Sequence, residues 1–192
     1  RKNKSFFERD NSGRHAVTLP FNKFKVALPS SISKGQNTYN FYVKLLDHVK
    51  EVSNFKELPI PFFCIATDIE SGKQVVLDKG YLPDAMLASG AIPTLFEPVN
   101  INGQLLVDGG VTNNYPIDEL LEKDVDAIIG VDVQDSLMNK KQLISASDIM
   151  KQVSNFNTND QMAEKVKKTS IYIKPNITGF SVISFEQGNE IY

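Results

Sequence analysis

The chain has 192 residues, of which 41% are hydrophobic and 23% are charged, and its formal net charge is -2 at pH 7. This composition is typical of a globular protein that buries a core, and it argues against a disordered chain. The basic residues are scattered along the chain, which argues against a nucleic-acid partner because phosphate binding needs a concentrated basic face.

The single cysteine, Cys64, lies in the apolar run "PIPFFCIATD", so no disulfide can form within the chain. We interpret Cys64 as a packing residue rather than a reactive thiol. No stretch reaches the ~18 apolar residues of a membrane span, and no apolar segment of a signal peptide follows the charged start "RKNKSFFERD". Because the chain starts without methionine and ends at "QGNEIY", we expect a fragment or a processed chain.

The sequence predicts one continuous domain over residues 1–192, with a less regular leading segment at 1–35. Apolar residues recur at spacings of three and four over residues 37–49, which predicts a helix. The continuous apolarity of residues 62–66 predicts a strand buried on both faces, with 74–77 as its hairpin partner.

The second half of the chain continues this alternation of strands and helices. Residues 82–92 predict a short helix that Pro93 ends, because proline inside a helix loses a hydrogen bond and clashes with the preceding turn. Asn102 and Gly103 suit a type I′ hairpin turn, and Pro116 suits the start of a helix. The last predicted elements are a strand in "DAIIGVDV", a long polar helix over residues 146–168 and a strand in "SIYIKP". The alternation predicts an α/β layered fold with a largely parallel sheet.

Three acidic residues follow predicted strands, namely Asp68, Asp108 and Asp132. Ligands collect at the carboxyl edge of parallel strands, so we expect the three carboxylates near that edge. One interpretation is structural: each acid caps a neighbouring turn, and Asp108 with Gly109 forms an Asp-Gly turn. A second is a carboxylate cluster that holds a divalent cation such as Mg²⁺, although no G-x-x-x-x-G-K-[ST] phosphate loop is present.

A third interpretation makes Asp108 a general base. A carboxylate at the end of a strand can take a proton from a nucleophilic hydroxyl. Gly109 and Gly110 would let a substrate approach the backbone closely.

The segments "ATDIESGK", "LASGAIPTLFEPV" and "LLVDGGVTNNYPIDEL" resemble, in this order, the second half of a patatin-like phospholipase domain. The resemblance covers most of the chain, from "LPSSISKGQN" to "IYIKP", and is closest to bacterial members. It implies a three-layer α/β/α sandwich and a lipid acyl hydrolase with a serine-aspartate dyad. In the family's D-G-[AG] motif, Asp108 matches the catalytic aspartate, followed by Gly109 and Gly110. Such a dyad needs no histidine, and we interpret His15 and His48 as surface residues.

The chain departs from the family pattern at the nucleophile. The family's G-x-G-x-x-G oxyanion loop and G-x-S-x-G elbow precede the matched segment, and neither pattern occurs here. The nearest candidate, Ser33 in "SISKG", lacks the first glycine, and we interpret it as a loop or helix-cap residue. Ser89 in "LASGA" is interpreted as a packing or capping residue on a short helix. The nucleophilic serine is therefore expected to be absent from this chain, which would be inactive alone.

We thus expect the carboxyl-terminal portion of a patatin-like sandwich, incomplete at its N-terminal side, from a parent protein that cleaves phospholipids or other acyl esters without a cofactor or metal. The alternatives are a non-catalytic lipid-binding or interaction module and a divalent-metal carboxylate-cluster enzyme. Contact with a membrane surface is compatible with the resemblance, and an exposed sheet edge would be covered by a missing N-terminal part or a homodimer. The resemblance also suggests the bacterial cell envelope, either the periplasm or the outer membrane.

Overall fold

The structure is a computed structural model that describes residues 21–22, 25–26, 31–134, 137–177 and 180. His15 and most of the leading segment predicted at residues 1–35 lie outside these described residues. The strands are β1 (Phe21–Asn22), β2 (Lys25–Val26), β3 (Ser31–Ser33), β4 (Cys64–Asp68), β5 (Lys73–Leu77), β6 (Thr94–Phe96), β7 (Val99–Ile101), β8 (Gln104–Asp108), β9 (Ile129–Val131) and β10 (Ile171–Ile173). The helices are α1 (Gln36–Leu45), α2 (Leu82–Ser89), α3 (Ile117–Leu121) and α4 (Ala146–Lys167).

The largest sheet has four strands in the order β5-β4-β8-β7, and every neighbouring pair in it is antiparallel. Two hairpins build most of it. The β4–β5 hairpin confirms the predicted pairing of residues 62–66 with 74–77, with the first strand starting two residues later. The β7–β8 hairpin turns at Asn102 and Gly103, whose φ angles of 52° and 86° confirm the predicted turn chemistry.

The expectation of a largely parallel central sheet does not hold for this four-stranded sheet. Parallel neighbours need a long crossover connection, whereas short turns join β4 to β5 and β7 to β8, which makes those pairs antiparallel. Parallel pairing occurs in two separate pairs, β3 with β6 and β9 with β10. The described chain is therefore α/β with mixed strand directions.

The helices lie close to their predicted positions. α1 and the 3₁₀ turn Asp47–Val49 together cover the helix predicted over residues 37–49. α2 ends at Ser89, three residues earlier than the end predicted from Pro93, and Gly90 caps it. The 22-residue α4 matches its prediction and starts with a capping box formed by Ser145 and Asp148.

The main core lies between α2 and one face of the four-stranded sheet. Its buried members are Phe55, Ala66, Leu77, Leu82, Ala85, Ala88 and Leu106. Cys64 packs against this core, which confirms its interpretation as a packing residue. In the part of the chain that the structure describes, no helix combines the length and the apolarity needed to cross a membrane.

A smaller core forms around Tyr115, Ile117 and Ile128. The Tyr115 hydroxyl lies over β9, where a Cβ on Gly130 would come within 1.6 Å of it. The glycine in "DAIIGVDV" therefore leaves room for a tyrosine that comes directly after the "DGGVTNN" segment.

Candidate active site

Asp108 is the last residue of β8 and caps the turn that follows. The 3₁₀ turn Gly109–Val111 starts there, and the Asp108 carboxylate accepts a hydrogen bond from the Gly110 N–H at 2.7 Å. An N-cap carboxylate of this kind satisfies a backbone donor that would otherwise lack a partner. Asp108 therefore takes the capping role expected for an acid after a strand, and its second oxygen is left for other contacts.

The backbone of Asp108 is held from both sides. Its N–H donates to the Ala91 carbonyl at 3.0 Å, and its own carbonyl accepts from the Thr67 hydroxyl at 2.9 Å. The Thr112 hydroxyl lies 2.9 Å from that of Thr67. Because Thr67 has one hydroxyl proton and gives it to Asp108, Thr112 is the donor in its contact with Thr67, and the Thr112 hydroxyl also lies 3.4 Å from the Gly109 carbonyl oxygen. The two threonines thus fix the start of the turn to β4.

We expect Thr67→Val to lower the free energy of unfolding by about 1–3 kcal/mol, because the Asp108 carbonyl loses a buried donor while side-chain shape is kept. Thr112→Val is the matched control. It leaves the bond from Thr67 to Asp108 intact and should cost clearly less. Urea denaturation of the three proteins measures both values, and an equal loss in the two variants would contradict the assignment.

Asp108 opens onto a cleft of about 260 Å³. The cleft combines apolar side chains with amides and exposed backbone, which is the usual mixture in a small-molecule site. The residues that line it are Phe63, Cys64, Ile65, Ser89, Asp108, Gly109, Gly110, Asn113, Asn114 and Pro116.

Burial raises the pKa of the Asp108 carboxyl, and the Gly110 N–H bond offsets part of that rise. Desolvation disfavours the charged form, whereas a hydrogen bond to the carboxylate favours it. Among the described residues, no salt bridge involves Asp108. The carboxylate is therefore more basic than an exposed aspartate and is not neutralised by an adjacent cation.

The two glycines after Asp108 differ in what their missing side chains leave room for. A Cβ on Gly109 would lie 2.2 Å from the Ile65 carbonyl oxygen, so that space belongs to the backbone of β4 and not to a substrate. A Cβ on Gly110 would meet Asn114 Oδ1 at 2.9 Å and Asp108 Oδ1 at 3.0 Å, so its absence clears the carboxylate.

The three acids predicted at one sheet edge do not gather, and this expectation was wrong. β4 and β8 are antiparallel, so the carboxyl ends of their strands point in opposite directions, and Asp68 instead accepts bonds from Ser71 and the Glu70 N–H. Asp132 follows β9 and bonds with Tyr172. Within the described residues, no group of three or more His, Cys, Asp or Glu side chains could hold a metal ion. The divalent-metal cluster thus lacks its predicted ligand set.

Comparison with known proteins identifies the family. The sequence profile named patatin-like phospholipase matches residues 2–121, which is more than half of the chain. The chain belongs to the patatin-like phospholipase family.

Several patatin-like relatives belong to the NTE group. A Mycobacterium bovis protein described as an uncharacterized NTE family protein is 35% identical over 96 residues, which are 48% of this chain and 27% of the relative. A second such M. bovis protein is 35% identical over 86 residues, 45% of this chain and 15% of the relative. Candida albicans lysophospholipase NTE1 is 35% identical over 74 residues, 38% of this chain and 5% of the relative. The chain thus spans about a quarter or less of these relatives.

The other candidate residues of this patatin-like chain lie in different settings. Ser33 ends β3 and its hydroxyl accepts from the Gly35 N–H at 3.1 Å, and it is not among the residues that line the cleft. Ser89 does line the cleft, but it ends a helix and does not stand on the strand-to-helix turn that an elbow serine occupies. Burial raises the pKa of the Cys64 thiol to about 11, so the thiol is protonated at neutral pH. His48 is exposed and donates to the Leu45 carbonyl.

The sequence interpretation missed Thr67, Asn113 and Lys165, all of which are buried and bond to the Asp108 turn or its neighbours. Thr67 had a usable signal, since a threonine inside an apolar strand must find a partner when buried. Asn113 stands in the "TNN" that follows D-G-G and offered a weaker one. Lys165 offered none, because lysines are common on polar helices.

Proposed function

We propose that this chain is the aspartate-bearing part of a lipid acyl hydrolase, with Asp108 as the general base for a serine supplied by a part of the protein that precedes it. One observation carries the proposal: a half-buried carboxylate without a salt-bridge partner among the described residues faces a cleft, and its pKa is raised. A base with these properties can accept a proton directly, without a histidine between it and the nucleophile.

The reaction then proceeds in two steps. Asp108 takes the serine hydroxyl proton as the serine oxygen attacks the ester carbonyl carbon, and the departing alcohol takes that proton from Asp108. Water then attacks the acyl-serine ester with Asp108 again acting as the base, which releases the fatty acid and restores the serine.

The substrate class follows from the family and its relatives. Acyl esters of lipids, including lysophospholipids, are the proposed substrates, because a relative that matches 38% of the chain is named a lysophospholipase. Phe63 and Pro116 contribute apolar surface beside the carboxylate, which suits an acyl chain.

We also propose that the described strands are parts of a larger three-layer α/β/α sandwich. β9 and β10 pair only with each other among the described residues, and they expose Ile129, Val131 and Ile171. Exposed apolar strands can pair with another segment, and we propose that the segment carrying the nucleophile pairs with β9 or β10. Sedimentation of the chain alone tests this pairing, because a dimer would indicate that a second copy of the chain covers these strands.

Hydrolysis of medium-chain p-nitrophenyl esters tests the function. We expect turnover by the full-length protein and none above background by the 192-residue chain alone. Robust turnover by the chain, abolished in Ser33→Ala, would instead identify Ser33 as the nucleophile. A full-length protein that binds lipid vesicles without hydrolysing any ester would favour the non-catalytic module.

A further inference from the structure

Asn113 ends the turn that begins at Asp108 and is buried at 7% exposure. Its N–H donates to the Gly109 carbonyl at 2.8 Å, which closes the turn. Its side-chain amide nitrogen donates to Gln74 at 2.9 Å and to both carboxylate oxygens of Glu119 at 3.0 Å. The amide oxygen accepts from the Lys165 ammonium at 2.7 Å. One side chain thus joins the turn to β5, α3 and α4.

The chemistry of these partners permits one orientation of the Asn113 amide. The ammonium of Lys165 can only donate, and the carboxylate of Glu119 can only accept. Rotating the amide by 180° would set its NH₂ group against the ammonium and its oxygen against the carboxylate. Opposite charges on the two sides therefore lock the side chain, and Gln74 adds to this by donating to Glu119 at 2.6 Å.

Lys165 is unusual because it is a buried lysine, with 7% exposure, on a largely polar helix. Burial lowers the pKa of its ammonium, while the charges of Glu119 and Asp118 oppose that shift. Burying an ammonium costs free energy of folding unless hydrogen bonds or opposite charges offset the loss of water. The Lys165 ammonium donates a hydrogen bond to Asn113, so the contact that this lysine provides is made to the turn.

We propose that Asn113 and Lys165 are positioning residues that hold the Asp108 turn against α4 and so fix the direction of the Asp108 carboxylate into the cleft. Asn113 lines that cleft beside Asp108, and it bonds to Gly109, the next residue after Asp108. Thr67 on β4, together with Thr112 of the turn itself, holds the start of the turn, and Asn113 holds its end. The proposal rests on the proposed function for its catalytic consequence, but not for its structural one.

Lys165→Met in the full-length protein tests the proposal, since it keeps the length of the side chain and removes the donor. We expect amide hydrogen exchange to accelerate about tenfold or more at Gly110, Thr112 and Asn113 while the amides of α2 are unchanged. We also expect kcat for ester hydrolysis to fall about tenfold with KM within about twofold, because the base is misdirected and binding is kept.

Lys168→Met is the matched control. Lys168 follows α4 directly and pairs with the half-exposed Asp118, so removing it should leave both exchange in the turn and kcat within about twofold of the starting protein. Asn113→Asp sets a second carboxylate against Glu119 and should loosen the turn, whereas Asn113→Asp with Glu119→Gln restores a donor and should recover most of the activity. This near-isosteric pair keeps the test open if Lys165→Met does not fold.

The exchange measurement separates failure of this proposal from failure of the proposed function. Faster exchange throughout the protein in Lys165→Met would show that the lysine is merely structural. Unchanged exchange in the turn would show that the lysine does not hold the turn. Either result would overturn the proposal. Unchanged activity in an Asp108→Asn protein would remove the catalytic consequence, yet selective exchange in the turn would still support the anchoring role of Asn113 and Lys165.

Discussion

Asp108→Asn is expected to lower kcat/KM of the full-length protein for ester hydrolysis by about 10²–10⁴-fold without unfolding it. The asparagine amide has the same shape, and its oxygen can still accept from the Gly110 N–H. It cannot accept the proton of a serine hydroxyl. Initial rates with p-nitrophenyl esters measure the loss, and an active variant would contradict the role of Asp108 as base.

The same substitution should stabilise the fold at neutral pH. Burial raises the pKa of Asp108 in the folded state above its unfolded value, so ionisation costs the folded state more. This penalty is fully present above the folded pKa and disappears as pH falls below the unfolded pKa. Asparagine carries no such penalty, so the stability gain of the variant over the starting protein should shrink on acidification. Urea titrations at several pH values measure that difference.

Asp84→Asn is a matched control for these electrostatic effects. Asp84 lies on α2, and burial also raises the pKa of its carboxyl, but it lines a different cavity from Asp108. Both variants remove a partly buried charge, and only one removes the proposed base. We therefore expect Asp84→Asn to keep ester hydrolysis within about twofold of the starting rate, because Asp84 does not line the cleft that Asp108 faces.

The local elements were predictable because their signals are local. Apolar spacing over residues 37–49 was enough to find α1, and Asn102 with Gly103 was enough to find the β7–β8 hairpin. The same signals do not carry strand direction. The strands of the two hairpins were taken as part of an alternating α/β pattern, which led to the wrong expectation of a parallel sheet. That expectation in turn placed three acids at one sheet edge.

The sequence pointed to Asp108 as a candidate site residue, but not to the residues that hold its turn. The strand end and the two glycines lie in one short segment of the sequence, whereas the residues that hold the turn come from distant segments. Thr67 bonds across 41 residues and Lys165 across 52, and no spacing in the sequence relates them to the turn. Such contacts depend on how β4 and α4 each pack against the turn, which only the folded chain reveals.

Gly109→Ala should be the most destabilising of the substitutions proposed for this turn. The added Cβ would lie 2.2 Å from the oxygen and 2.6 Å from the carbon of the Ile65 carbonyl, and these are backbone atoms of a buried strand. Ile65 is registered to Val76 in the pairing of β4 with β5, so moving its carbonyl would disturb that pairing. We expect a loss of at least about 3 kcal/mol in the free energy of unfolding, at the upper end of what overpacking costs.

Two other glycines make this expectation specific to the contact with β4. Gly90→Ala meets only the Met86 carbonyl oxygen at 3.6 Å, an ordinary distance, and should change stability by less than about 1 kcal/mol. Gly110→Ala meets side-chain atoms of Asn114 and Asp108, which can rotate, so the fold should survive while the carboxylate is displaced. Gly110→Ala should therefore lose activity with modest loss of stability, and Gly109→Ala should lose both. Equal urea midpoints for the two variants would mean that the turn does not pack on β4 as described.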